Sequence, residues 1–288
     1  MRGNRKTRAT LFSAARSNRK RDDGSSLKII SGVVLSVALV ALAAGVFFAF
    51  THLRRLWLEQ STITDVARQV TIVTGSHVKS GVILDGFGLT NGANLATIDF
   101  KARRSELLGK VANIRSLSIE RHLPDRVVIT VAEREPVARL GVKGQKGTTG
   151  KVVDAEGVVF LRRVGTGMLP VIREARAPGT LPGKTLSGRA AAALKVVVAC
   201  ADGDLASLGI LEVDASPRDY LLAVLGNYQR AKIAWEGMDE PVAGADDNMR
   251  TRLSNLRKAV NSNIATRAII WNATERGCIT ADTKEPIQ

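Results

Sequence analysis

The chain has 288 residues, with 42 Lys and Arg against 27 Asp and Glu, two Cys and 4% aromatic residues. This length accommodates about two folded domains, and a hydrophobic content of 45% excludes a wholly disordered chain. Two cysteines also exclude a disulfide-dense scaffold and a zinc ribbon, which leaves the net charge of +15 as the unusual feature.

The excess charge is concentrated at the amino terminus. Residues 1–28 carry nine basic and two acidic side chains. A basic segment suggests nucleic acid as a partner, but this one lacks interleaved aromatic residues and a folded reader motif. We therefore interpret it as a cytoplasmic tail that orients the chain in a membrane and contacts anionic lipid, and we predict no nucleic-acid binding.

An uncharged run of 22 residues follows, from 29 to 50. As an α-helix rising about 1.5 Å per residue, it is long enough for the ~30 Å hydrocarbon core of a membrane. Because the basic residues precede it, the positive-inside rule predicts a cytoplasmic amino terminus, with residues 51–288 on the outer side. The rival interpretation is a cleaved signal peptide with a small-x-small site at Ala41-Leu42-Ala43. The apolar region of a signal peptide is usually only about 7–15 residues long, which favours the anchor.

The first part beyond the membrane is predicted to be an α+β domain. Residues 51–69 are expected to form a helical stalk, and residues 70–140 a β-α-α-β-β domain in which two helices cover one face of the sheet. Apolar side chains alternate in its last two strands, 117–121 and 127–133. Asp99 is predicted to cap its second helix.

A mixed, β-rich domain with two helices is predicted over residues 141–282, followed by a flexible tail at 283–288. It opens with a polar, Gly-rich connection at 141–150 and a β-hairpin around Ala155-Glu156-Gly157. The first of its helices is predicted at 187–201.

The second helix of this domain is predicted to begin at Asp246 or Asp247, either of which can act as the N-cap. Its apolar residues recur at a spacing typical of a core-facing stripe, namely Met249, Leu253, Leu256 and Val260. A terminal hairpin is predicted from 268–272 and 278–281.

Four further residues are assigned by type. Cys200 and Cys278 can form a disulfide in an oxidising compartment or remain two unpaired, half-buried thiols, and the sequence leaves both possibilities open. Tyr220 and Tyr228 are interpreted as packing residues.

Two short motifs resemble catalytic or nucleotide-binding elements. Ser76-His77-Val78-Lys79 has the Ser-x-x-Lys pattern of penicillin-binding enzymes, but the required Lys-Thr-Gly element does not occur in the chain. Gly183-Lys184-Thr185 matches the end of a P-loop, but Pro178 stands where its first glycine is required. His52, His77 and His122 lack metal-ligand spacing. We predict no catalytic, cofactor or metal site, no small-molecule substrate and no enzyme activity.

A set of turn, cap and strand-end residues resembles the POTRA-domain signature of the bacterial cell-division family FtsQ/DivIB. These residues are Gly75, Asn94, Asp99, Arg121, Pro124, Glu133, Arg134 and Pro136. The run 153–160, followed by Leu169-Pro170, is similar to the opening of that family's second, β domain. The resemblance covers residues 29–282. Turn and strand-end geometry alone explains residues such as Gly75 and Pro124.

The resemblance implies a non-enzymatic scaffold in the cell inner membrane at the division septum. Such proteins bind the bitopic proteins FtsB and FtsL and link them to septal peptidoglycan synthesis. In the family, FtsB adds a strand to the final strand of the β domain, which implies a contact set on the last two strands of this chain: Trp271, Asn272, Gly277, Cys278, Ile279 and Thr280. The chain departs from the family at Asn272, where Arg is frequent, and at Cys278.

Two alternatives stay open at this point. One is a POTRA-bearing component of envelope assembly or secretion, although no series of strands long enough for a membrane barrel remains in the sequence. The other is a cell-wall enzyme, which requires a convergent acid-base or nucleophile constellation that the sequence does not reveal.

Overall fold

The computed structural model describes residues 23–122, 124–162, 164–175, 181–240, 242–262, 270–275 and 279–282. It divides into two compact units between Gln60 and Ser61. The predicted tail at 283–288 and most of the basic leader lie outside the described residues.

The amino-terminal unit contains one long helix, α1 (Asp23–Gln60). Its segment Leu35–Gln60 is long and apolar enough to cross a membrane, with a mean hydropathy of 2.0 and none of its most apolar stretch buried. A helix that exposes apolar side chains on all sides, as this one does from Leu35 to Phe50, suits a lipid environment rather than water. The chain therefore has one amino-terminal apolar helix that fits a single membrane span, where the sequence predicts it.

The predicted stalk is not a continuous helix. α1 ends at Gln60, and only a short helix, α2 (Val66–Gln69), follows, capped by Asp65. Between them Ile63 is fully buried and exchanges backbone hydrogen bonds with the 92–93 turn. Burying Ile63 in the first domain stabilises the chain more than continuing the helix would. Ile63 therefore belongs to the core of that domain.

The first domain is built on a three-stranded sheet within the described residues, hereafter the small sheet. Its elements are β1 (Val70–Val73), α3 (Ser80–Phe87), α4 (Phe100–Lys110), β2 (Ile114–His122) and β3 (Arg126–Glu133). The strand order is β1-β3-β2, with β1 parallel and β2 antiparallel to β3. The predicted β-α-α-β-β order is confirmed.

The core of this domain follows from the predicted periodicities. The alternating residues Val127, Ile129 and Val131 of β3 are buried, and they pack in one cluster with Phe87 of α3 and Leu107 of α4. The Asp99 carboxylate accepts a hydrogen bond from the backbone N–H of Ala102 at 3.0 Å, so the predicted cap of α4 is confirmed.

The second domain is built on a nine-stranded sheet within the described residues, hereafter the large sheet. Its strands are β4 (Ala138–Val142), β5 (Lys151–Val153), β6 (Val159–Leu161), β7 (Val171–Glu174), β8 (Glu212–Asp214), β9 (Leu221–Val224), β10 (Arg230–Ile233), β11 (Ile270–Ala273) and β12 (Thr280–Asp282). Their order across the sheet is β12-β11-β10-β9-β8-β7-β4-β5-β6. The pairs β4–β7, β7–β8 and β10–β11 are parallel, and the others are antiparallel.

Among the described residues of this domain, the helical elements are α5 (Gly188–Ala199), the 3₁₀ helix Gly203–Leu208 and α6 (Ala245–Val260). The alanines of α5 are largely buried with the inward residues of the central strands, because small side chains allow the helix to approach the sheet closely. The α+β class with a β-rich second domain is confirmed.

Strand β4 was not predicted. The expected boundary at residue 140 falls within it, and Ala138 and Leu140 are buried in the core of the large sheet. Gly141 made the sequence look like a loop, because glycine normally weakens a strand. The glycine lies in a tight place, since a Cβ atom at this position would lie 3.0 Å from the guanidinium of Arg173 and 3.2 Å from the side chain of Val171.

Two details of α6 and the terminal hairpin also differ from the prediction. The N-cap of α6 is Gly244 in the left-handed conformation, whereas Asp246 and Asp247 lie in the first turn, where they complement the helix dipole. The predicted stripe of α6 does face the core. The two hairpin strands end one residue later than predicted, at Ala273 and Asp282, and residues 263–269 and 276–278 are outside the described residues.

Candidate functional site

The Glu133 side chain, at the end of β3, binds the loop that follows β1. Its carboxylate accepts backbone hydrogen bonds from His77 at 3.0 Å and Val78 at 2.8 Å. Burial raises the pKa of the Glu133 carboxyl, but the hydrogen bonds from Val78 and His77 outweigh it, so the pKa lies below its ordinary value. A Cβ atom on Gly75 would lie 2.7 Å from this carboxylate, which explains the glycine.

In the Ser-x-x-Lys segment, the hydroxyl of Ser76 bonds to the neighbouring His77. The Ser76 hydroxyl lies 2.9 Å from Nδ1 of His77, and the same nitrogen lies 3.1 Å from the Glu133 carboxylate. A proton relay through histidine uses its two ring nitrogens for the two partners. Ser76, His77 and Glu133 therefore form a loop-closing hydrogen-bond cluster.

Arg134 joins the two domains. Its guanidinium donates to the Asp154 carboxylate at 2.6 Å and to the backbone carbonyl of Ala112 at 3.1 Å. The side chains of Arg134 and Asp154 are only 15% and 7% exposed. Asp154 also accepts the backbone N–H groups of Glu156 and Val158 and so shapes the turn between β5 and β6. The sequence assigned Arg134 to a strand end and missed this partner.

Other signature residues also have local roles. The Asn94 amide accepts the N–H of Ala96 and donates to Thr62, which holds the turn before α4. The Arg121 guanidinium lies 5.4 Å from the centre of the Phe100 ring. Two prolines mark connections: Pro124 lies in the turn between β2 and β3, and Pro136 lies between β3 and β4.

The predicted contact strand is β12, which ends the large sheet. Its residues pair antiparallel with β11, with Asn272 opposite Thr280 and Ile270 opposite Asp282, and no described strand pairs with its outer side. Thr280 is exposed, whereas Ile279 is half-buried and packs against the core. This arrangement presents a backbone edge of the kind to which another strand can add.

The six predicted contact residues occupy different environments. Trp271 is 3% exposed, and its indole N–H donates to the side chain of Gln229 at 2.8 Å. The Asn272 side chain accepts hydrogen bonds from the backbone and the hydroxyl of Thr274. Gly277 and Cys278 lie outside the described residues. The structure thus brings Ile279 and Thr280 to the edge and places Trp271 inside.

The opposite end of the large sheet is covered. The backbone of Val159 in β6 exchanges hydrogen bonds with Gly183 and Lys184, and the Asn113 side chain donates to the carbonyl of Leu161 at 3.1 Å. This segment contains the Gly183-Lys184-Thr185 sequence, which therefore functions here as a strand cover.

One of the two edge strands of the small sheet, β2, is covered at one point. Arg104 of α4 donates from its guanidinium Nε to the backbone carbonyl of Leu117 in β2 at 2.8 Å. Leu117 lies near the middle of that strand, so the guanidinium occupies a backbone acceptor there. An arginine among the basic residues of α4 gave no sequence signal for this role.

Cys200 is a free thiol at the end of α5. Burial raises its pKa to about 11, although Arg250 lowers it slightly, so the thiolate is scarce at neutral pH. Cys278 lies outside the described residues. Among the described residues, no group of three or more His, Cys, Asp or Glu side chains is arranged to hold a metal ion.

Tyr228 is not a packing residue. Its side chain is 81% exposed at the tip of the β9–β10 hairpin, whereas Tyr220 lies under the ammonium group of Lys232 at 5.2 Å. The hairpin turn, rather than the surrounding apolar pattern, decides where the side chain of Tyr228 points.

One comparison identifies the first domain. The family model of the FtsQ-type POTRA domain matches residues 67–134, from α2 to Arg134. No protein of curated function matches the chain. POTRA domains of this type are generally non-enzymatic and suggest a cell-division or envelope protein that engages other proteins. Residues 67–134 are therefore a POTRA domain of the FtsQ type, which supports the resemblance of the chain to the FtsQ/DivIB family.

Proposed function

We propose that this protein is a non-enzymatic, bitopic scaffold of the bacterial divisome. Its amino terminus lies in the cytoplasm and its folded part in the periplasm, anchored in the inner membrane at the septum. It binds FtsB-like and FtsL-like proteins and links them to septal peptidoglycan synthesis. The observation that carries this proposal is the open edge of β12, in a chain that also has an FtsQ-type POTRA domain and an apolar helix.

The binding step is strand addition. Backbone N–H and C=O groups on the outer side of β12 pair with an extended segment of the partner, and side chains such as Thr280 alternate between the two faces. Trp271 supports this edge from within, because it fixes β11 against the core. Asn272 holds the turn at the end of β11 through its bonds to Thr274.

Two other edge strands, β6 and β2, support the choice of β12. The outer side of β6 is occupied by Gly183 and Lys184, and β2 carries the guanidinium of Arg104. Strand addition needs a run of available backbone groups. Of the three strands β2, β6 and β12, the last satisfies this need best.

The test is a pair of proline variants in the full chain, Ile279→Pro and Thr280→Pro. Successive N–H groups of a strand point to opposite sides, so one variant removes an outward donor and the other removes a donor to β11. The outward variant is identified by an unchanged melting temperature. We expect this variant to lose pull-down of an FtsB-like protein from the same bacterium and to leave septation defective, with Met168→Pro on a distant exposed loop as the control.

The result that overturns the proposal is equally specific. Normal septation after depletion, together with a fluorescent fusion that does not collect at midcell, excludes a division role. Unchanged pull-down by both folded proline variants moves the binding surface away from β12.

A further inference from the structure

The tip of the β9–β10 hairpin has an unusual backbone conformation. The N–H of Tyr228 donates to the carbonyl of Leu225, and the N–H of Leu225 donates to the carbonyl of Gln229. These bonds define a three-residue loop whose last residue is left-handed, a position that glycine normally fills. Here that residue is Tyr228, with φ of 64°, the one non-glycine residue with positive φ among those described.

No contact among the described residues explains a tyrosine at this position of the hairpin. The side chain is 81% exposed, and the loop is already held by reciprocal hydrogen bonds between Asn227 and Gln229. A left-handed conformation is unfavourable for a residue with a Cβ atom. An exposed aromatic side chain therefore occupies a position where glycine would strain the loop less, and strain of this kind points to a functional contact.

The hairpin tip lies at the same end of the large sheet as the last residue of β12. Arg230 pairs with Ile270, and Ile270 pairs with Asp282, so one row of residues crosses from β10 to the edge. Tyr228 lies two residues beyond that row. Strands are spaced about 4.8 Å apart, so an added strand on β12 would lie roughly 15 Å from the tip, or about four to five extended residues.

A direct hydrogen-bond connection also joins the tip to the edge hairpin. Gln229, adjacent to Tyr228, accepts the indole N–H of Trp271 in β11 at 2.8 Å. The position of the tip is thus fixed relative to the strand that supports β12. This hydrogen bond connects the tip to β11, the strand that pairs with β12.

We propose that Tyr228 is a specificity-determining contact for the chain that adds to β12. The partner segment that continues past the Asp282 end of the added strand crosses the end of the sheet and packs on the tyrosine ring. A tyrosine offers a large, rigid surface with a polar tip, which is the chemistry of an interface anchor. This inference rests on the function proposed above.

The test separates the ring from the backbone strain. The full chain in detergent micelles is compared with its Tyr228→Phe, Tyr228→Ala and Tyr228→Gly variants for binding to a purified FtsB-like protein from the same bacterium. We expect binding about 10-fold weaker for the alanine and glycine variants and close to wild type for phenylalanine. The glycine variant should melt about 2–4 °C above the wild-type protein, because its loop is unstrained.

The combination of lower affinity and undiminished stability in Tyr228→Gly is what a merely structural residue cannot produce. Met168→Ala, another fully exposed side chain, is the matched control and should bind as the wild type does. Wild-type affinity in both Tyr228→Ala and Tyr228→Gly overturns this inference while leaving the edge-strand function intact. Failure of the wild-type chain to bind the FtsB-like protein overturns both.

Discussion

The two ends of the large sheet differ in how their edge strands are treated. β6 is covered by backbone hydrogen bonds from the 183–184 segment and by the side chain of Asn113. β12 pairs with β11 alone among the described strands. An unpaired edge exposes the protein to unwanted association, so natural sheets usually block it. The strand addition proposed above accounts for this difference between the two ends.

In the small sheet, one side chain covers part of the edge strand β2. A single guanidinium from α4 occupies a carbonyl of β2. Side chains that cover an edge strand or hold such a cover in place can be removed one at a time. The stability and the self-association of each variant then show whether covering an edge matters.

The largest loss of stability is expected at the Arg134–Asp154 ion pair, next to the covered end of the large sheet. Asp154→Ala removes the buried partner of Arg134 and the acceptor that shapes the β5–β6 turn. Loss of one member of a buried ion pair typically costs about 3–5 kcal/mol, because the other charge stays desolvated. Urea unfolding of the variant measures this loss.

The control for that experiment is the exposed pair beside it. Arg115 and Glu156 are 61% and 50% exposed, so Arg115→Ala should leave the unfolding free energy unchanged within error. Equal losses in the two variants would show that the Arg134–Asp154 pair does not anchor this end of the sheet.

A smaller effect is expected from opening the edge of the small sheet. Arg104→Ala frees the Leu117 carbonyl and should cost about 1 kcal/mol of stability. It should also introduce concentration-dependent self-association, measured by sedimentation velocity. Arg103→Ala is the control, because Arg103 pairs only with Glu106 on the same helix in the described contacts. A strictly monomeric Arg104→Ala would mean that the guanidinium is not what protects β2.

The smallest effect is a pH dependence that arises at Glu133. Because its folded pKa is lowered, its carboxylate contributes stability that is present above its unfolded pKa, about 4.3, and is lost as pH falls through the folded value. The melting temperature of the wild type should therefore fall more steeply with acidification below that pKa than that of Glu133→Gln. Parallel curves for the two proteins would contradict this assignment.

The sequence predicted those parts of the fold that depend on local chemistry. The Asp99 cap, the alternating strands and the stripe of α6 each arise from periodicity or from one hydrogen bond. Ile63 and β4 were missed because only tertiary packing fixes their conformations. Gly141 in particular suggested a loop, whereas it lies inside β4 and close to the side chain of Arg173.

The candidate site was predictable in outline and not in its details. The final strand was identified through the family resemblance, but whether a strand residue such as Trp271 points inward depends on register, which a one-residue shift reverses. The exposure of Tyr228 depends on a left-handed turn residue, and glycine is the residue that normally signals such a turn.

The connection between the two sheets has a mechanical consequence. Only residues 134–137 separate β3 from β4, and Arg134 in that link is bonded on both sides, to Ala112 and to Asp154. A short link that contains Pro136 has little slack. A change in the angle between the two domains at this junction would therefore strain the Arg134–Asp154 contact, so this contact resists bending there.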